Sequence, residues 1–130
     1  MANEADLREA RSFIAEFIGS AEQLEVLLLL QGEPDRDFTA AEVSQRVYTV
    51  PASALLRLDE LASSGLLTTD GASDPRYRYA PASPGLARRV DGLSAAYRAD
   101  RVGVVRLIFE QPSNSVRSLA DAFRLRRPGG

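Results

Sequence analysis

Apolar residues in the first part of the chain recur with helical spacing. Leu7, Ala10, Phe13, Ile14, Phe17 and Ile18 lie three and four residues apart, which predicts a first amphipathic helix ending at Gly19. Ser20-Ala-Glu-Gln23 has the residues of a capping box, so a second helix is expected to start there. Its run Leu24–Leu30 is apolar nearly all round, the pattern of a buried helix, and Gly32 with Pro34 ends it. After a polar loop over 32–37, Thr39-Ala-Ala-Glu42 is a second capping box, with Phe38 and Val43 spaced as a hydrophobic staple. A short helix to about Val47, a turn at "YTVP" and a helix from Pro51 to a stop at Gly65 follow. Leu66–Thr69 and Arg76–Ala80 then read as two strands joined by "DGASDP", whose Asp, Gly and Pro mark a chain reversal.

Beyond Pro84 the residues Leu86, Val90, Leu93, Tyr97, Val104 and Ile108 trace a heptad-like stripe with a gap at Asp100 and Arg101. A continuous helix from Pro84 to Gln111 would be about 42 Å long at ~1.5 Å per residue, longer than a small core requires. The stripe is therefore expected to serve partly as core and partly as a dimer seam. Pro112 ends it. Val116, Leu119, Ala120 and Phe123 predict a last amphipathic helix ringed by Arg117, Arg124, Arg126 and Arg127, ahead of a frayed "RPGG". The expected architecture is mostly α with a small β-hairpin, in a single domain of 130 residues. Helices occupy 1–37, a helix-turn-helix with its hairpin 38–81, and C-terminal helices 84–127.

Composition narrows the chemistry. An apolar content of 45% with 26% charged residues describes a soluble chain with a real core. Glu4, Asp6, Glu9 and Glu16 make the first twenty residues unlike a signal peptide. The most apolar segment is seven residues long and holds Glu25, against the ~20 of a spanning helix, so a cytoplasmic protein is expected. The sequence has no Cys, no His and no Lys, which removes thiol nucleophiles, the commonest general base and metal ligand, and Schiff-base chemistry. The pairs Asp35/Asp37 and Asp59/Glu60 read as solvated acids rather than a catalytic couple. Neither an enzyme nor a cofactor or metal site is expected. The net charge of −2 conceals a gradient of −6 over residues 1–37, −1 over 38–80 and +5 over 81–130. The termini are thus complementary, within one chain or across a dimer.

"LDELASSGLL", followed by "DGASDPRYRYAP", resembles the MarR-type transcriptional regulators, in which an apolar–Asp–x–Leu–x–x–x–Gly–Leu string closes the recognition helix and a short wing carries Asp and Arg. The resemblance covers about the middle third of the chain. It implies a winged helix-turn-helix with N- and C-terminal helices for dimerisation, and a homodimer whose recognition helices enter successive major grooves of duplex DNA while wing arginines approach the minor groove or the phosphates. Leu58, Leu61, Gly65 and Leu66 match structural positions of that pattern, and Asp74 and Arg76 match its wing. Leu56, Glu60 and Ser64 stand where such regulators usually carry basic residues.

Two surfaces compete as the functional one. In the wing, Arg76 and Arg78 alternate with Tyr77 and Tyr79, so the guanidiniums share one face and the rings the other. That pattern suits a phosphate contact or a plain half-buried strand. Arg46, at the end of the supporting helix, and Arg57 and Ser53, on the recognition helix, are further candidates for DNA. Turning that helix at 100° per residue puts Ala54, Leu55, Leu58, Leu61 and Ala62 inward and Ala52, Ser53, Leu56, Asp59, Glu60 and Ser63 outward. Leu56 beside Asp59 and Glu60 suits a protein partner better than a phosphate backbone. A regulator with wing-mediated DNA binding is the first expectation, and an interaction module using Leu56, Asp59 and Glu60 is the alternative. A third is a small-molecule sensor with a pocket between the terminal helices and the winged core.

Overall fold

Six helices and three short strands follow one another through residues 3–111, the part of the chain that the structure, a computed structural model, describes. Helix α1 (Glu4–Phe17) is capped by Asn3, whose side chain accepts the Asp6 N–H at 2.8 Å, and it buries Ala10, Phe13 and Ile14. Helix α2 (Ala21–Gly32) starts at Ser20, whose hydroxyl accepts the Gln23 N–H at 3.1 Å. Gln23 reaches back one residue beyond the cap, taking the Gly19 N–H at 2.8 Å, so the box closes on the α1–α2 turn. The centre of α2, with Leu24, Val26, Leu27 and Leu30 fully buried, is the interior helix that its all-round apolar run predicts.

Helix α3 (Ala40–Arg46) has both halves of the expected capping box: the Thr39 hydroxyl accepts the Glu42 N–H and the Glu42 carboxylate accepts the Thr39 N–H. Helix α4 (Pro51–Ser63) ends as Gly65 dictates. The Leu66 N–H bonds to the Leu61 carbonyl and the Gly65 N–H to that of Ala62, both at 3.1 Å, with Gly65 at φ +84°, a conformation in which a side chain would be strained. Ala54, Leu58 and Leu61 are fully buried and Leu55 and Ala62 pack against them, as the helical wheel predicts. Pairing of α4 with α2 and α3 builds the winged core.

The hairpin has a third strand. β1 (Phe38–Thr39), β2 (Leu67–Thr69) and β3 (Arg76–Tyr79) form an antiparallel sheet in the order β1-β3-β2. Phe38 lies opposite Tyr77 and Thr39 opposite Arg76. Two residues carry no alternation to read, and in the sequence both already have roles at the start of α3.

The continuous helix considered for Pro84–Gln111 is two helices, α5 (Pro84–Ala99) and α6 (Arg101–Phe109). Asp100 breaks it: with φ −152° it leaves helical geometry and caps α6, its carboxylate accepting the Gly103 N–H at 3.0 Å. A Cβ on Gly103 would stand 2.5 Å from that carboxylate, so a larger residue there would push the Asp100 side chain out of its capping position. The bend lays both helices on α1. Val90, Leu93, Val104 and Ile108 are consequently buried inside one chain, while Leu86 and Tyr97 are half-buried at the edge of the same core. The amphipathic segment Val116–Phe123 and its arginines lie outside the described residues.

Part of the charge gradient closes within the chain. Arg89 meets Glu16 at 2.8 Å and lies over the rings of Phe13 and Phe17 at 5.4 and 5.5 Å, and Arg101 meets Glu25 at 3.8 Å. Exposed pairs of this kind contribute little stability, so apolar burial holds α1 on α5. Among the described residues, no helix is long and apolar enough to cross a membrane.

Candidate nucleic-acid interface

The wing is shaped from its tip. In the turn between β2 and β3 the Asp70 carboxylate accepts the N–H groups of Ala72 and Arg76, each at 3.1 Å, and Gly71 takes φ +66°. These backbone bonds hold the Asp70 carboxyl below the usual carboxylate range. Asp70 therefore closes the hairpin, whereas Asp74, the acid singled out by family resemblance, is exposed in the turn. Strand alternation then sends Tyr77 into the core and Arg76 and Arg78 outward. On the outer face of the sheet both arginines line a shallow cleft of about 390 Å³ with Thr68, Thr69, Asp37 and Asp70.

These two guanidiniums differ in their partners. Arg78 is held by Asp37, Nε to Oδ1 at 2.7 Å, with both side chains about half exposed. Arg76 has no ion-pair partner among the described residues. The remaining candidates are engaged within the chain. Arg46 meets Glu33 at 2.8 Å and lies 6.0 Å from the Phe38 ring. Arg57 bridges Glu22 at 3.1 Å and Glu60 at 2.9 Å, and the Ser53 hydroxyl donates to the same Glu22. Hydrogen bonds from Ser53, Thr49 and Arg57 keep the Glu22 carboxyl below its ordinary range against the opposing effect of burial. Glu22, on α2, thus draws the polar edge of α4 inward, a contact that no local pattern in the sequence reveals.

The acids expected to face a protein partner are occupied as well. The Tyr77 hydroxyl donates to Asp59, tying the wing to α4, while Glu60 holds Arg57. Leu56 stays 52% exposed. Two side chains that the sequence reading did not single out are more exposed still: Tyr48 at 95% and Val50 at 61%, in the turn entering α4. Tyr48 has φ +58°, uncommon for a residue with a side chain, and the "YTVP" turn was its only sequence signal. Between α2 and the α5–α6 bend, a groove of about 360 Å³ runs over Leu28, Leu29, Val47 and Tyr97 beside Arg46 and Arg101. Among the described residues no group of three or more acids could hold a metal ion.

Burial and the Asp59 contact push the Tyr77 hydroxyl up to about 12, and burial does the same for Tyr79, whose hydroxyl has no hydrogen-bond partner among the described residues. Without Lys or Cys, tyrosine is the side chain that titrates in the alkaline range. A phenol whose folded value lies above its unfolded value of about 10 favours folding while protonated. That stability is complete below about pH 10 and is lost as pH climbs toward about 12. Urea unfolding midpoints should therefore fall between about pH 10 and 12. Tyr77→Phe should flatten the fall; an equally steep fall in that variant would show that Tyr77 is not responsible.

No family model matches the chain, and no curated protein matches it in sequence. Solved structures do match in shape. They include YusO of Bacillus subtilis (14% identity, 94% of this chain and 84% of that one, TM-score 0.52). MepR, a transcription regulator of the Staphylococcus aureus multidrug efflux pump MepA, matches at 12% identity over 93% of this chain and 87% of that one, TM-score 0.52. The reduced form of MarR from E. coli matches at 13% identity over 97% and 90%, TM-score 0.51. At such identities the likeness concerns architecture: the chain has the MarR-like winged helix-turn-helix fold, mostly helical with a small antiparallel sheet.

Proposed function

We propose that this chain is a small winged-helix transcription regulator that acts as a homodimer and binds duplex DNA chiefly through its wing. The observation that carries the reading is the pair Arg76 and Arg78 on the outward face of β3, with Arg76 in no ion pair among the described residues. The Arg76 guanidinium on a rigid strand can meet a phosphate without breaking an ion pair, whereas Arg57 would first have to leave both Glu22 and Glu60 in a more buried bridge; Arg46 is in an exposed pair with Glu33 comparable to that of Arg78 with Asp37. Asp37 holds Arg78 in an exposed pair that a phosphate can replace at small cost.

Dimerisation is assigned to the outer face of α6. Val102 (67% exposed), Val105 and Phe109 (75%) repeat at three and four residues, opposite the buried Val104, Leu107 and Ile108. A helix apolar on both faces is a helix with two partners. The inner face has α1 and α5.

Gel-shift titration on genomic fragments at about 50 mM salt tests the DNA reading, since phosphate contacts are strongest at low salt. Arg76→Ala should weaken all sequences similarly, by about tenfold, and lower the salt slope by about one. Unchanged affinity in the Arg76→Ala/Arg78→Ala double variant would overturn the wing assignment. A protein-binding role for Leu56, Asp59 and Glu60 gains nothing from the geometry, because both acids are already held inside the chain.

A further inference from the structure

The recognition helix faces outward with almost nothing polar to offer. Ser53 and Arg57 are turned to Glu22, Glu60 to Arg57, and Asp59 to Tyr77. What remains at the entry to α4 is Val50, Ala52 one turn below Leu56, and Tyr48. From Val47 to Leu58 the single charge is that of Arg57. We infer that this end of α4 reads duplex DNA by apolar contact, Val50, Ala52 and Leu56 packing against the 5-methyl groups of thymine in the major groove. This rests on the DNA-binding reading above and adds the base chemistry to it.

Three observations favour that occupant. The floor of the major groove is uncharged and thymine alone among the bases presents a methyl group there, while the groove walls are anionic. An uncharged helix entry combined with outward arginines on the wing has the same division. Helix-turn-helix proteins present the N-terminal residues of this helix to base edges, and Asp59 and Glu60 lie about two turns further along, roughly 11 Å from Ala52 at ~1.5 Å per residue. Their charge is set back from Val50 and Ala52, lies one turn beyond Leu56, and is engaged there by the Tyr77 hydroxyl and Arg57. A protein partner, by contrast, would find three or four apolar side chains where stable interfaces bury about 800 Å² per side.

The test uses the full chain and a duplex selected from genomic fragments, with thymine replaced by deoxyuridine inside the protected site. That change deletes the methyl group and keeps the pairing edge. Affinity should fall about fourfold for each contacted methyl. Leu56→Ala should bind the thymine duplex more weakly than the parent chain and lose most of its discrimination between the two duplexes, a coupling that a change in DNA shape would not produce. Equal affinity of the parent chain for both duplexes, with Arg76→Ala still weakening them, would overturn the inference and leave wing binding standing. Absence of any shift at about 50 mM salt would remove the DNA reading and this inference with it. So would loss of a defined protein partner on Leu56→Asp in a chain that binds no duplex.

Discussion

Leu58→Ala is expected to lower stability by about 2–5 kcal/mol, while Leu56→Ala, two residues away on the same helix, should change it by no more than about 0.5 kcal/mol. Leu58 is fully buried at the centre of α4, and removing its side chain leaves a cavity that the surrounding α2 and α3 packing cannot fill. Leu56 has half its surface in water, so truncation there removes little buried area. Against a total of about 5–15 kcal/mol for a domain of this size, the first substitution brings the fold near its limit. Urea midpoints of the two variants decide the matter. Similar losses for both would mean that α4 is rotated from the orientation described, and the assignment of its outward face would fall.

Phe109→Asp is expected to turn a dimer into a monomer, raising its dissociation constant at least about a hundredfold. The ring stands 75% exposed on α6 in the single chain, next to Val102 and Val105 on the same face. If that face is the seam, a carboxylate there must lose its water without gaining a partner, which costs several kcal/mol. The single chain should be little affected, because the substituted position already faces solvent. Sedimentation equilibrium of both proteins, with urea midpoints as a check on folding, separates the two effects. A dimer that survives Phe109→Asp would place the seam elsewhere.

Most helix boundaries were legible because they are local chemistry. Thr39 and Glu42 cap α3, Pro51 starts α4 and Gly65 stops it, each through bonds spanning a few residues. Alternation in "RYRY" likewise sorted Tyr77 inward and Arg76 and Arg78 outward. Strand β1 escaped notice because two residues have no period, and its existence depends on β3 arriving some forty positions later. At Asp100 the stripe showed an interruption, yet a gap in a stripe does not say whether the helix continues. The side chain settles it by capping Gly103.

The candidate site divides the same way. Residue order along the chain established which arginines could face outward, since that follows from the two-residue repeat of a strand and the 3.6-residue repeat of a helix. Which of them remain available was decided by folding, which brings Glu22 from α2 to Ser53 and Arg57, Glu33 to Arg46, and Asp37 to Arg78 across 31, 35, 13 and 41 positions. Charge pairing at such separations has no signature in local spacing, because it depends on how whole elements dock. The tertiary structure thereby left Arg76 without an ion pair among the described residues, buried Val90, Leu93, Val104 and Ile108 of the stripe, and exposed Tyr48, Val50 and Phe109.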